Sequence, residues 1–175
     1  MPLRCRHPSL KERDPETAVK TVKEVAKEFE DETRLALDKM MSKQPSFFIR
    51  LYDTRSAGNY LPSQPGDFIS IHAGKAFLIE CKVSEVASNI NRAILTKNFS
   101  DHQIAAMRLW ARAGGEAIVP FLSVETNLVH IWQGAHLAQC YITPRMSPSK
   151  DSGVLLTCNR ADLYDGLFRV MTGAR

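Results

Sequence analysis

Three side chains in the middle of the chain could do hydrolytic chemistry together: Asp67, Glu80 and Lys82. Positions 80 and 82 share one face of a strand, because strand side chains alternate with period two. The residues between, DFISIH and then AFLIECKV, read as two strands joined by a tight turn at His72-Ala73-Gly74-Lys75, which brings Asp67 beside that face. Two carboxylates and an ammonium then converge on a partly apolar surface. Carboxylates set side by side raise one another's proton affinity unless a cation lies between them. A hard divalent cation such as Mg²⁺, held by one or two carboxylates and several waters, resolves that repulsion. It would polarise a phosphate oxygen and acidify a water, with Lys82 placed to position or deprotonate that water for in-line attack on phosphorus. The plain alternative is an ion pair between Glu80 and Lys82 on a solvated strand edge, since the ExK pattern is common by chance. The PGD before the hairpin and the apolar Leu78-Ile79 favour the chemical reading.

Several elements must position these residues. Apolar positions from Val19 to Met40 fall at helical spacing and predict a long amphipathic helix from Pro15 to Met41, capped by Asp14, with Pro45 forbidding continuation. SFFIRLY at 46–52 predicts a short strand, and DTRSAGNYLPSQPG a loop. The strand after the turn is expected to run on through Val83, its apolar stretch from Ala76 to Ile79 suiting burial on both faces. Residues 84–98 read as loop with some helix. Ser100 caps a helix running to about Ala113, which Gly114-Gly115 ends. EAIVPFLSV and NLVHIWQG predict two more strands turning at Glu125-Thr126-Asn127, and Pro120 suggests that the first is not central throughout. A small helix at Ala135–Cys140, a loop over 142–153, a short strand and a closing helix complete the chain. The expected architecture is α/β, a mixed central sheet flanked by helices. Residues 1–13 are expected to be a flexible tail and 14–175 a single domain.

Composition sets bounds. The chain has 175 residues, 44% of them hydrophobic, which suffices for one compact domain with a proper core. No apolar run approaches the roughly 20 residues that span a bilayer, and the N-terminus lacks the apolar stretch of a secretory signal. A cytoplasmic protein with no membrane partner is therefore expected. The formal charge of +4 is compatible with a phosphate-facing surface without demanding one. Cys5, Cys81, Cys140 and Cys158 form no CxxC pair, which argues against a zinc ribbon or redox motif. His72, His130 and His136 show no metal-ligand spacing, and Trp110 and Trp132 read as core.

The stretch PGDFISIHAGKAFLIECK resembles the signature of the PD-(D/E)xK nuclease superfamily, with a glycine inserted between Pro65 and Asp67. The resemblance implies a restriction-endonuclease-like core in which Asp67 and Glu80 are metal ligands, the backbone carbonyl of Cys81 is a third, and Lys82 is the catalytic lysine. A second stretch, LTKNFSDHQIAAMRLWARAGGEAIVPFLS, is similar to the segment that follows the ExK strand in RecU-type Holliday junction resolvases, where a KNF..HQ pattern opens the next helix. AKEFEDE in the first helix resembles a GKxFE-like motif of the same family. That places Glu30 as an additional acidic site residue, with Glu28 in its stead if the register shifts by two.

Together the resembling segments run from about Ala26 to Trp132. They imply an endodeoxyribonuclease dependent on Mg²⁺, for which Mn²⁺ could substitute, acting on branched DNA such as Holliday junctions in a bacterial or phage-infected cell. Lys97, His102, Gln103 and Arg55 are the implied DNA contacts, and Arg50 is a further loop arginine that could meet phosphates. A homodimer follows, because symmetrical cleavage of two strands needs two sites at fixed separation; the long helix and the strand at 47–52 are candidate interfaces. The chain departs from the resolvases in showing no recognisable stalk between first helix and acidic strands. The rival readings are a nuclease of the same fold acting on ordinary duplex in restriction or repair, and a catalytically silent DNA-binding module.

Overall fold

Thr21 and Glu24 form a reciprocal capping box that starts helix α1 at Val22 and carries it to Lys43. The computed structural model of the protein describes residues 20–51, 64–85, 90–148 and 153–174. The expected tail, the Asp14 cap and Arg55 lie outside them. The helix therefore does not run unbroken from Pro15 as predicted: Lys20 and Thr21 precede it in non-helical conformation, because the Thr21 hydroxyl and the Glu24 carboxylate satisfy each other's backbone N–H groups there. Its buried stripe is Val25, Phe29, Thr33, Ala36, Leu37 and Met40.

The strands are β1 (Ser46–Arg50), β2 (Phe68–His72), β3 (Lys75–Ile79), β4 (Lys82–Ser84), β5 (Glu116–Ser123), β6 (Leu128–Gln133) and β7 (Val154–Asn159). They build one seven-stranded mixed sheet in the order β1-β2-β3-β5-β6-β7, with β4 also on β5. All neighbours are antiparallel except β3 and β4, which run parallel to β5. The predicted turn between β2 and β3 is present, with Ala73 and Gly74 both at positive φ (49° and 81°), the geometry whose twist suits a two-residue hairpin. Helices α2 (Arg92–Asn98), α3 (Asp101–Arg112), α4 (Gly134–Ile142) and α5 (Leu163–Thr172) complete the fold, the last preceded by a 3₁₀ turn at Arg160–Asp162.

Period-two alternation divides the sheet between two cores. Phe77, Ile79, Ile118, Leu122, Val129 and Ile131 pack with α1 and α5 on one face. Leu78, Ala117, Val119, Phe121 and Trp132 pack with α2, α3 and α4 on the other. Helices thus flank both faces of a mixed α/β sheet. Trp132 is fully buried in the second core, as expected, and His72 and His130 are buried.

Two expectations about strands are corrected. β5 is central at Pro120 itself, with β6 on one side and β3 and β4 on the other. The strand predicted to continue through Val83 is interrupted at Glu80 and Cys81, so that β3 and β4 are separate elements. The two meet at Pro120, which lies opposite the break and has no N–H to complete the ladder there.

Candidate active site

Asp67 stands at the mouth of β2 with its main chain held from both sides. Its N–H donates to the carbonyl of Ile79 (2.9 Å), and its carbonyl accepts from the N–H of Leu51 (2.7 Å). The glycine that separates Pro65 from Asp67 has a steric reason: a Cβ on Gly66 would lie 2.9 Å from Leu78 Cδ1 and 3.0 Å from the Ile79 carbonyl oxygen. The chain must pass that close to β3 for Asp67 to arrive beside Glu80. From there Asp67 Oδ2 accepts a 2.7 Å bond from the N–H of Cys81.

Glu80 is only 2% exposed and lies in the break between β3 and β4. Its Oε1 receives two donors, Lys82 Nζ at 2.5 Å and Gln103 Nε2 at 2.5 Å, whereas its Oε2 is buried without a partner. Lys82 is itself largely buried. Its ammonium lies 3.4 Å from Gln103 Oε1 and 5.1 Å from the centroid of the Phe99 ring, close enough for a cation–π contact. Burial, and next the charge of Glu80, push the Asp67 carboxyl up to about 7, against the opposing pull of the Cys81 N–H. Burial likewise raises the proton affinity of Glu80, with Lys82 opposing it.

Glu30 comes to the same place from α1. Its charge contributes to raising both Asp67 and Glu80, and its carboxylate pairs with Arg50 at 2.7 Å. Glu28, two residues earlier, points elsewhere, pairing with Lys20 (2.7 Å) and Arg160 (3.7 Å). Arg50 is the last residue of β1 and not a loop arginine; it bridges Glu30 and Asp31. The Cys81 side chain turns away from the carboxylates toward α1, where its thiol meets Thr33 Oγ1 at 3.4 Å. Burial, then the charge of Asp67, hold that thiol well above its usual range, so it remains protonated.

The KNF..HQ residues divide. Phe99 is buried under Lys82, and Gln103 occupies the N3 position of α3, where its amide oxygen also accepts from the Ser100 N–H (3.1 Å) to complete a capping box. Lys97 and His102 are exposed, the first in the last turn of α2 and the second in the first turn of α3. Gln103, read from sequence as a DNA contact, is bonded inside the site, a link that sequence spacing alone could not show because it crosses 23 residues.

Among the described residues no group of three or more His, Cys, Asp or Glu side chains is gathered closely enough to hold a metal ion. Asp67 and Glu80 lie near enough for the charge of Glu80 to raise the Asp67 carboxyl, and an unpartnered buried Glu80 oxygen beside such a carboxyl is what a hard cation would relieve. A cation that takes one or two carboxylates and completes its shell with water and main-chain carbonyl fits this donor set, whereas one needing three or more side-chain ligands does not.

The fold and site together define an α/β protein in which a half-buried Asp67, a buried Glu80 and Lys82 gather at the break between β3 and β4. No known family's sequence pattern matches the chain, and no curated protein matches it in sequence. Among solved structures it is similar to Hjc, a Holliday junction resolvase from the archaeal hyperthermophile Archaeoglobus fulgidus, with a TM-score of 0.41 and 18% identity over 64% of this chain and 75% of that one. So distant a likeness does not bear on function.

Proposed function

We propose that the protein is a divalent-metal-dependent endodeoxyribonuclease with a restriction-endonuclease-like core, acting on branched DNA. The observation that carries the reading is a buried Glu80 beside a half-buried Asp67, with Lys82 on one Glu80 oxygen and the other oxygen unpartnered. Burying such a group costs several kcal/mol unless a cation or a reaction uses it, so a merely structural role is disfavoured. Asp67, Glu80 and the Cys81 carbonyl would hold the cation, which would supply positive charge at a phosphate oxygen. Lys82 would orient the attacking water, and the positive charge of its ammonium would ease that water's deprotonation. Gln103 and Phe99 hold that ammonium, and Glu30 adds negative charge that Arg50 tempers. Lys97, His102 and Arg55 are proposed DNA contacts; the first two are exposed to reach a backbone.

A homodimer is part of the proposal, with β1 as the interface to test. It is an edge strand of the described sheet, and its Phe47 and Ile49 are 53% and 50% exposed. No helix among the described residues is long and apolar enough to cross a membrane.

The test is cleavage of labelled four-way junction, fork, single-stranded and linear duplex DNA of matched sequence in Mg²⁺, Mn²⁺ or chelator. Paired symmetrical nicks in the junction alone, lost in chelator, are expected. Metal-dependent cutting of every substrate would retain the nuclease and discard the junction preference. Tight binding with no cutting would replace the enzyme with a silent DNA-binding module.

Gln103→Ala is expected to lower the cleavage rate at saturating DNA about tenfold while leaving DNA affinity in Ca²⁺ unchanged, since one hydrogen bond to a charged group is worth about 1.5 kcal/mol or more. Ser100→Ala, which removes only the helix cap, is the control. A fall in affinity at unchanged rate would instead assign Gln103 to the DNA.

A further inference from the structure

Helix α1 passes the break between β3 and β4, where Thr33 Oγ1 meets the Cys81 thiol at 3.4 Å. Glu30 stands three residues before Thr33 and so shares that side of the helix. From there its charge is felt by both Asp67 and Glu80. A third carboxylate is thus at hand. Yet among the described residues no three such side chains are gathered closely enough to hold one ion.

Glu30 is held by Arg50 instead. The guanidinium donates from Nη2 to Glu30 Oε1 at 2.7 Å and from Nη1 to Asp31 Oδ1 at 3.0 Å. Its main chain is fixed by the sheet: Arg50 pairs with Phe68 across β1 and β2, and the N–H of the next residue, Leu51, donates to the Asp67 carbonyl at 2.7 Å. The arginine is therefore anchored to the same stretch of main chain that carries Asp67. The Arg50 and Glu30 side chains are 25% and 27% exposed, so water competes only in part for their bond. A charge-assisted bond with that much shielding holds better than an ion pair on the open surface. Asp31, the more exposed of the two acids, fixes the other prong of the fork.

We propose that Arg50 is a positioning residue that keeps Glu30 out of the cation's ligand set, so that Asp67 and Glu80 are the only side chains bonded to the ion. The inference rests on the nuclease reading for the presence of that ion. A third carboxylate would bind a hard cation more tightly, but it would fill a place in the shell that water or a phosphate oxygen needs and would offset the charge that acidifies bound water. By occupying Glu30, Arg50 lowers metal affinity and preserves the reactivity of the ion.

Arg50→Met removes the guanidinium and keeps an unbranched stem. Full chains labelled with ¹³C at the glutamate carboxyls are loaded with Mn²⁺, and electron–nuclear double resonance counts the glutamates bonded to the ion. Mn²⁺ affinity is read alongside by water-proton relaxation in about 0.5 M KCl, where charge effects acting beyond a few ångströms are largely screened. One strongly coupled glutamate is expected in the parent and two in Arg50→Met, whose affinity should be about tenfold tighter, equivalent to about 1.4 kcal/mol. Adding Glu30→Gln to Arg50→Met should return the count to one and the affinity to the parent value, because the two substitutions act through one contact. Two coupled glutamates in the parent overturn the proposal, since Glu30 would already be a ligand. One in Arg50→Met also overturns it, leaving Arg50 as a charge acting through space. If neither chain binds Mn²⁺, the metal-dependent reading fails and the proposal with it. A parent that binds Mn²⁺ through one glutamate but cuts no DNA would discard the nuclease while the count in Arg50→Met still decides the role of Arg50. Should Arg50→Met not fold, Glu30→Gln alone decides: an affinity close to that of the parent supports the exclusion of Glu30, and a loss of about tenfold or more overturns it.

Discussion

Asp67→Asn is expected to lower metal-dependent cleavage by at least a thousandfold and, in chelator at pH 8, to raise the melting temperature. The two effects have opposite signs because one carboxylate is proposed to serve the bound cation and burdens the metal-free protein. In the folded chain Asp67 titrates at about 7, against a usual 3.8, chiefly because of its burial and then the charge of Glu80. The folded state thus holds a proton that the unfolded state releases near pH 4. The associated stability is fully present below about pH 4 and is lost as pH rises through about 7. Fully expressed, that difference amounts to about 4 kcal/mol. Asparagine mimics the neutral acid at every pH and keeps an oxygen to accept from the Cys81 N–H. A rise in melting temperature on the order of 10 °C at pH 8 is expected for a chain of this size, shrinking toward zero at pH 4.5. Thermal melts of parent and variant at the two pH values check this, and a variant that melts lower than the parent at pH 8 would show that the acidic pair is not under mutual strain.

Lys82→Ala is expected to lower cleavage about 10²- to 10⁴-fold, the range for loss of a positioned acid–base group, while sparing DNA binding. The ammonium contacts Glu80 Oε1 and is largely buried, so its removal leaves the carboxylate with only Gln103 as donor on that oxygen. The proton affinity of Glu80, already raised by burial, rises further once its principal opposing charge is gone. Metal affinity at neutral pH should therefore fall modestly in the variant and recover as pH is raised and Glu80 deprotonates. Lys82→Met, which keeps the apolar stem against Phe99, distinguishes lost chemistry from lost packing. Cleavage kinetics with DNA binding measured in Ca²⁺ provide the readout. Retained cleavage in both variants would remove Lys82 from the mechanism.

Much of the architecture was legible because it depends on local rules. The hairpin at Ala73-Gly74, the Ser100 cap and the alternation that divides β3 and β5 between two cores all follow from residues within a few positions of one another. The convergence of Asp67 with Glu80 and Lys82 follows from the same hairpin. The start of α1 was misread for an equally local reason: Thr21 and Glu24 make a capping box inside the apolar periodicity, and periodicity alone does not reveal where a helix begins.

The residue types that could do chemistry, and the strand pair that brings three of them together, were determined by the sequence itself, because period two and a two-residue turn leave little freedom. Only the tertiary structure decided what surrounds them. Arg50 meets Glu30 across 20 residues, Gln103 reaches Glu80 across 23, and Phe99 comes to lie under the Lys82 ammonium. Pro120 reads in sequence as a sign of an edge strand, yet it lies in a central one, opposite the carbonyl for which it has no N–H to offer. The physical reason is that local pattern sets a side chain's face and periodicity, whereas a polar group's partner is set by which strands and helices pack beside it.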